Sequence, residues 1–255
     1  MSNLGRYGFR VSAILVSAVL ILFCATALAA PPNPILVELF TSEGCSDCPP
    51  ADTLLRILDS TQPIPGAQVI VLEEHVDYWD DQGWQDPFSS HVFTVRQIEY
   101  VKQLRVTNGP YTPQMVVDGN EAFVGNDRAQ AGRALAKAVQ VPKLAVQISS
   151  AHVENGQVLA HVESATVPST AEVVIAIALD RAQSQVLRGE NGGRRLEHVA
   201  VVKRLTVVGK VKKGETFSKD LRVHLDHPGQ AYRVIAFVQE GDQGKILGSA
   251  VAHLQ

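Results

Sequence analysis

Between residues 35 and 50 the chain reads Ile35-Leu36-Val37-Glu38-Leu39-Phe40-Thr41-Ser42-Glu43-Gly44-Cys45-Ser46-Asp47-Cys48-Pro49-Pro50. The apolar start suits a buried strand, and a loop with two cysteines separated by two residues follows. Beyond it, apolar residues recur at the spacing of a helix, which predicts a helix that ends near Asp59. The C-x-x-C pair is therefore predicted to lie where a strand passes into the N-terminus of a helix.

This position favours thiol chemistry. Unpaired backbone N–H groups and the positive end of a helix dipole stabilise a nearby thiolate, and the thiolate is the nucleophilic form of cysteine. With two residues between the cysteines, the second can attack a mixed disulfide that the first has formed. The order in the chain predicts that Cys45 is the outer, attacking sulfur and that Cys48 resolves the intermediate.

Two neighbours of the pair weaken that stabilisation. Pro49 and Pro50 favour a helix that begins at Pro49 and disfavour helical φ and ψ angles at Cys48. Asp47 adds a negative charge close to the thiolate. We therefore expect a nearly ordinary pKa for the Cys45 thiol and a more reducing pair than in a strong oxidant.

A second signal is Tyr111-Thr112-Pro113-Gln114, directly before a predicted third strand at residues 115–117. The preceding elements are a strand at residues 69–72, a polar and aromatic loop to residue 90 and a helix with one apolar face. A hairpin strand at residues 122–124 and a helix capped by Asn126 or Asp127 follow. The apolar face of the earlier helix is predicted to carry Phe93, Ile98, Val101 and Leu104.

A right-handed crossover makes the first two strands parallel neighbours in a mixed sheet. Pro113 then lies beside the start of the first helix. A cis Thr112–Pro113 bond would expose the Thr112 backbone to an extended peptide. Trp79 and Trp84, in the loop after the second strand, are candidates for an apolar rim around the substrate.

These motifs resemble the thioredoxin superfamily and, more narrowly, an exported bacterial thioredoxin-like family of unknown function with a C-x-x-C-P-P motif. The resemblance also rests on His75-Val-Asp-Tyr-Trp-Asp80, Gly83-Trp-Gln-Asp-Pro-Phe88 and Arg188-Gly-Glu-Asn-Gly192. It implies a thioredoxin-like fold and names no substrate.

From residue 141 onward, apolar residues alternate with a period of two, which is typical of strands with one buried face. The alternating positions are Leu144, Val146 and Ile148; Val158, Ala160 and Val162; Val173, Ile175 and Ile177; Leu221, Val223 and Leu225; and Val234, Ala236 and Val238. The predicted fold class is an α/β thioredoxin-like domain (β-α-β-α-β-β-α) at residues 30–140, followed by an all-β antiparallel sandwich-like domain at residues 141–255.

The first 29 residues are typical of a signal peptide. Arg6 and Arg10 precede an apolar run at residues 11–28, and Ala27-Leu28-Ala29 supplies a cleavage site. The prediction is a periplasmic or secreted protein without stable membrane insertion after cleavage. The alternative is an uncleaved anchor. A net charge of −3 in 255 residues gives no reason to expect nucleic acid as a partner.

The sequence therefore predicts a thiol–disulfide oxidoreductase that acts on protein or peptide disulfides together with an unknown redox partner. Cys45 and Cys48 are the predicted catalytic residues, and Thr112, Pro113, Trp79 and Trp84 are predicted to bind substrate, with no cofactor or metal. Three alternatives stay open: an inert disulfide, a non-catalytic binding protein, and a Cu(I)-handling protein that uses both thiolates and His75. The polar loop at residues 188–195 is expected to be solvated, and the alternative is that it contacts a partner or the first domain.

Overall fold

A computed structural model describes residues 31–226 and 229–254. The predicted signal peptide at residues 1–29 lies outside these residues. The described residues form three helices and eleven strands. The helices are α1 (Pro49–Thr61), α2 (His91–Gln103) and α3 (Arg128–Ala138). The strands are β1 (Asn33–Thr41), β2 (Ala67–His75), β3 (Gln114–Val117), β4 (Glu121–Val124), β5 (Val146–Glu154), β6 (Gln157–Ser164), β7 (Ala171–Gln185), β8 (Arg195–Val211), β9 (Phe217–His224), β10 (Tyr232–Glu240) and β11 (Ile246–Leu254).

Eight strands form one mixed sheet in the order β11-β10-β7-β8-β2-β1-β3-β4. β1 pairs in parallel with β2 along its whole length and antiparallel with β3. β2 also pairs in parallel with β8, through Glu73 and Val201. The remaining strands form a three-stranded sheet in the order β5-β6-β9.

The predicted fold class is wrong. The chain is mostly β, and the strands after residue 140 do not form an all-β sandwich that follows a thioredoxin-like α/β domain. Four of them, β7, β8, β10 and β11, extend the sheet of β1 to β4. The physical reason is the edge of β2, whose backbone groups would otherwise lack partners. β8 covers that edge, and the Val199 N–H also donates to the Glu73 carboxylate at 2.7 Å.

The described residues form two large apolar cores and a small third cluster of Phe40, Val76, Tyr100 and Val116. The first contains buried side chains of α1, α3 and the central strands, including Leu55, Leu135 and Val71. The second contains side chains of β6 and β9, such as Val162 and Leu221, together with residues of β7, β8, β10 and β11. From Pro32 onward the chain is one compact unit.

The buried face of α2 includes Phe93, as predicted, but otherwise differs from the predicted apolar face. Arg96, Gln97 and Tyr100 are buried, whereas Ile98 is only partly buried. Arg96 Nε donates to Glu38 at 2.6 Å, and the Tyr100 hydroxyl donates to the same carboxylate at 2.6 Å. A buried carboxylate needs such partners, so a polar network sets the rotation of this helix. No helix in the described part of the chain is long and apolar enough to cross a bilayer.

Candidate functional site

Cys45 and Cys48 form a disulfide in the turn between β1 and α1. The Cys48 N–H donates to the Cys45 carbonyl at 3.2 Å, and α1 begins at Pro49, as the two prolines predict. Cys48 is the N-cap, but its φ of −76° and ψ of −39° are helical, contrary to expectation. Its carbonyl accepts from the N–H groups of Ala51 and Asp52, which holds the first turn in place despite the following proline.

Both cysteines are buried. Cys45 is 1% exposed and Cys48 is 0% exposed. The sequence predicts that Cys45 is the outer, attacking sulfur, which requires that it be exposed. In this conformation a disulfide in another protein has no path to either sulfur, so exchange requires that covering residues move.

The loop at residues 188–193, between β7 and β8, contacts the cysteine turn. Asn191 is fully buried, and its Nδ2 donates to the carbonyls of Glu43 and Cys45, at 2.9 Å each. Glu190 accepts from the Ser46 N–H at 2.9 Å, and this hydrogen bond lowers the pKa of the Glu190 carboxyl. The expectation of a simply solvated loop is therefore wrong.

Trp79 joins the cysteine turn to Thr112. The indole N–H donates to the Thr112 hydroxyl at 2.8 Å, and a Cβ placed on Gly44 would lie 3.0 Å from the Trp79 Cβ. The Thr112–Pro113 bond is cis, as predicted. Pro113 and Ala51 both lie against Gly125, which places Pro113 beside the first turn of α1. The structure thus brings these predicted substrate-binding residues to the cysteine turn.

Trp84 has a different partner. Its indole N–H donates to Glu43 at 2.8 Å, and its Cβ would lie 3.2 Å from a Cβ added to Gly189 of the covering loop. Gly189 also has a φ of +75°, a conformation that favours glycine. Trp84 therefore contacts both the cysteine turn, through Glu43, and the 188–193 loop, through Gly189.

An acid–histidine cluster, which we define as Glu43, Glu73, His75, Asp86 and His198, lies at the ends of β1 and β2 and on β8. His75 Nδ1 lies 2.7 Å from Asp86, and His198 Nδ1 lies 2.6 Å from Glu73. His198 Nε2 lies 3.2 Å from Glu43. Glu43 also accepts hydrogen bonds from Trp84 and Ser184. All five cluster residues are buried.

The charges in the cluster stabilise one another. Burial alone would lower the pKa of His75, but the Asp86 and Glu73 carboxylates outweigh it and raise that pKa to about 9. Burial likewise opposes the charged form of His198, and Glu73 and Glu43 raise its pKa well above the ordinary value. Burial would raise the pKa of Glu73, but the two histidines lower it to about 2.

Asp52, in the first turn of α1, lies near this cluster. Burial, followed by the negative charge of Glu73, raises its pKa to about 7, although the Thr41 hydroxyl donates to it at 2.7 Å. The sequence indicated neither this carboxyl nor the cluster as a unit. A usable signal was present in β2, where Glu73 and His75 are two residues apart and so point to the same side of the strand.

Comparison with known proteins bears on the family and the fold. A family model described as a protein of unknown function (DUF1223) matches residues 36–239. No curated protein matches the chain. The crystal structure of protein AGR_C_4864 from Agrobacterium tumefaciens is similar, with a TM-score of 0.67 and 24% identity over 88% of this chain and 95% of that one.

Spo0M, a sporulation control protein from Bacillus subtilis, is 14% identical over 44% of this chain and 47% of its own, with a TM-score of 0.29, too low to support an argument. The likeness to the Agrobacterium protein shows a shared fold and no activity. The family match spans most of the sequence. The chain therefore belongs to the DUF1223 family of proteins of unknown function.

Proposed function

We propose that this protein is an exported thiol–disulfide oxidoreductase whose Cys45–Cys48 pair exchanges with disulfides and thiols of proteins or peptides. The observation that carries the proposal is the disulfide at the N-terminus of α1, with Pro113 beside the first turn of that helix. Export rests on the signal-peptide pattern at residues 1–29.

The exchange proceeds in two balanced steps. In the reduced protein the Cys45 thiolate attacks a substrate disulfide, forms a mixed disulfide and expels one substrate thiolate, which takes up a proton. The Cys48 thiol then loses its proton and attacks the Cys45 sulfur, which expels the second substrate thiolate. Two electrons pass from the pair to the substrate. The Thr112 backbone binds the substrate chain beside the sulfurs, and the hydrogen bond from Trp79 to the Thr112 hydroxyl holds this residue in position.

The surrounding charges favour a reducing pair. Asp47 and Glu190 lie at the N-terminal end of α1, where their negative charges oppose a thiolate. Glu43 is buried just before the turn. A destabilised thiolate makes the reduced form less stable, which lowers the reduction potential. We expect a potential nearer to about −270 mV than to about −120 mV.

The buried sulfurs impose a condition on this activity. Asn191 and Glu190 hold the 188–193 loop on the cysteine turn through hydrogen bonds to backbone groups of residues 43, 45 and 46. We propose that displacement of this loop from the turn opens the approach that a substrate sulfur needs, in line with the disulfide. Loop displacement is then a step of the reaction, and substrate binding or thermal opening would supply it.

The test uses the chain without residues 1–29. Equilibration in glutathione or dithiothreitol buffers gives the potential, and Cys48→Ser is incubated with a disulfide-bonded peptide. We expect a stable mixed disulfide through Cys45 in Cys48→Ser and none in the matched Cys45→Ser variant.

Burial of both sulfurs favours a second candidate, a non-catalytic disulfide that only ties the turn to α1. If Cys48→Ser forms no mixed disulfide and the wild-type pair resists reduction until the protein unfolds, this second candidate is correct and the oxidoreductase is excluded.

A further inference from the structure

Three buried side chains place metal-binding atoms around one point. Glu73 and His75 come from the end of β2, and His198 comes from β8. Their exposed fractions are 0%, 0% and 1%. One ligand atom from each lies within 4.8 Å of the other two. A carboxylate and two imidazoles on two paired strands form a rigid donor set, since backbone pairing fixes both strands.

The second observation is an unpartnered nitrogen. His75 Nε2 is buried and has no hydrogen-bond partner among the described residues. Asp86 binds Nδ1 of the same ring at 2.7 Å, which fixes the ring and turns Nε2 toward Glu73. The Glu73 Oε1 atom is 3.7 Å from it, too far for a hydrogen bond.

That separation suits two ligands of one metal ion. Metal–nitrogen and metal–oxygen distances of about 2.0–2.2 Å in a tetrahedral site put neighbouring ligand atoms roughly 3.4 Å apart. The Glu73 and His198 ligand atoms are closer, at 2.6 Å, because they are hydrogen-bonded to each other. A small rotation of the His198 ring or the Glu73 carboxylate would open that pair to receive the ion.

Each histidine also has a carboxylate on its outer nitrogen. Asp86 lies at Nδ1 of His75, and Glu43 lies at Nε2 of His198. In metal sites such carboxylates orient the imidazole and raise its basicity. Together with Glu73 they give three buried carboxylates, which the two protonated imidazoles partly balance in the metal-free protein. A divalent cation would take the place of the two protons that the imidazoles release on binding it.

We propose that Glu73, His75 and His198 bind a divalent transition-metal ion of the zinc class, with Asp86 and Glu43 as positioning residues. Imidazole and carboxylate ligands suit such ions. Three protein ligands leave a fourth position for water or another ligand. Phe88, which is partly buried, contacts both rings, at centroid distances of 5.3 Å from His75 and 5.7 Å from His198. None of the three ligands is a cysteine, so this inference does not depend on the proposed redox activity.

The experiment uses the exported chain with its disulfide intact, freed of metal by a chelator. Calorimetric titration with Zn²⁺ is expected to show one ion per chain, and metal analysis after gel filtration should retain it. Co²⁺ in place of Zn²⁺ should give visible d–d absorption without the near-ultraviolet band of a cobalt–thiolate bond. If the wild-type protein does not bind one Zn²⁺, the proposal is wrong. The cluster is then a set of buried histidine–carboxylate ion pairs and no metal site.

Variants identify the ligands. His75→Gln is expected to weaken Zn²⁺ binding at least 100-fold, and Asp86→Asn about 10- to 100-fold, because the ligand remains but is less well oriented. His161→Gln is the matched control, since His161 also lies between two carboxylates, Asp220 and Glu163, but on the surface. It should bind as the wild type does.

A second measurement, the change in melting temperature on addition of Zn²⁺, distinguishes lost metal binding from misfolding. Zn²⁺ should raise the melting temperature of the wild type and of His161→Gln, because a ligand bound only to the native state stabilises it. The same addition should leave His75→Gln unchanged, with its circular dichroism spectrum intact. Binding lost in His161→Gln but kept in His75→Gln would contradict the assignment, as would binding that appears only after the disulfide is reduced.

Discussion

Asn191→Ala should make the Cys45–Cys48 disulfide easier to reduce. The side-chain amide of Asn191 is fully buried and donates to two carbonyls of the cysteine turn, at residues 43 and 45. Alanine removes both hydrogen bonds, whereas the hydrogen bond between Glu190 and the Ser46 N–H still joins the loop to the turn. If displacement of the loop is what exposes the sulfurs, as proposed above, the rate of reduction should follow the open population.

The magnitude follows from the two lost bonds. A hydrogen bond of this kind contributes about 1 kcal/mol net, so the closed loop loses about 2 kcal/mol. Since each 1.4 kcal/mol is a factor of ten, the open population should rise about 30-fold. The rate of reduction should rise by the same factor as long as the loop closes faster than the thiol attacks.

The assay is reduction of the oxidised protein by excess dithiothreitol, quenched at intervals and labelled with a maleimide that shifts its mobility on a gel. Leu187→Ala is the matched control, because this residue of the same connection is 70% exposed. It should be reduced at the wild-type rate.

A wild-type rate in folded Asn191→Ala would refute the reasoning, and so would an equal acceleration in Leu187→Ala. General loss of stability is a separate cause of faster reduction. Arg96→Met, which removes a buried ion pair on α2, tests for it. The loop explanation requires that Arg96→Met accelerate reduction less than Asn191→Ala does, although Arg96→Met is the less stable of the two variants.

Three further predictions concern stability and are measured by urea unfolding. Arg96→Met should cost about 3–5 kcal/mol, because Glu38 loses its buried cation. Burial, followed by the charge of Glu38, raises the pKa of Glu74 well above its usual value. The unfolded state therefore ionises this group first, so the contribution of Glu74 to wild-type stability falls as pH rises above about 4.3. Glu74→Gln lacks that contribution and should gain stability relative to the wild type from pH 4 to 7. Gly119→Ala should cost about 2–4 kcal/mol, since φ is +60° and the new Cβ meets the Gly244 carbonyl. An unchanged midpoint for the Arg96 or Gly119 variant, or a pH-independent difference for Glu74→Gln, would contradict the respective prediction.

Local patterns predicted much of the first half of the chain. β1, the face of α1 with Leu54 and Leu58, and the cap of α3 by Asp127 lie where the sequence indicates. These features depend on neighbours three or four residues apart, or on a side chain that binds a nearby N–H. The buried face of α2 is less predictable from its sequence. Carboxyl groups on β1 and β2 hold Arg96 on that face, whereas the apolar spacing predicts only Phe93 there.

The strand that joins the halves of the chain was missed. β8 spans 17 residues, and its valines at positions 199, 201, 202, 207, 208 and 211 are a signal for a strand. Without β8 the predicted sheet ends at β2, and no pattern in the sequence brings His198 to that strand. For the same reason, the sequence alone predicts a solvated connection at residues 188–195.

The sequence by itself determined the position of the C-x-x-C pair at a strand–helix junction and of Pro113 before the third strand. Only the tertiary structure decided that β8 pairs with β2, that Asn191 covers the cysteine turn, and that His198 meets Glu73 and His75. The reason is that side-chain periodicity reports which face of an element is buried, whereas the partner on that face is chosen by packing. Glu73 and His198 are 125 residues apart, and no local preference links them.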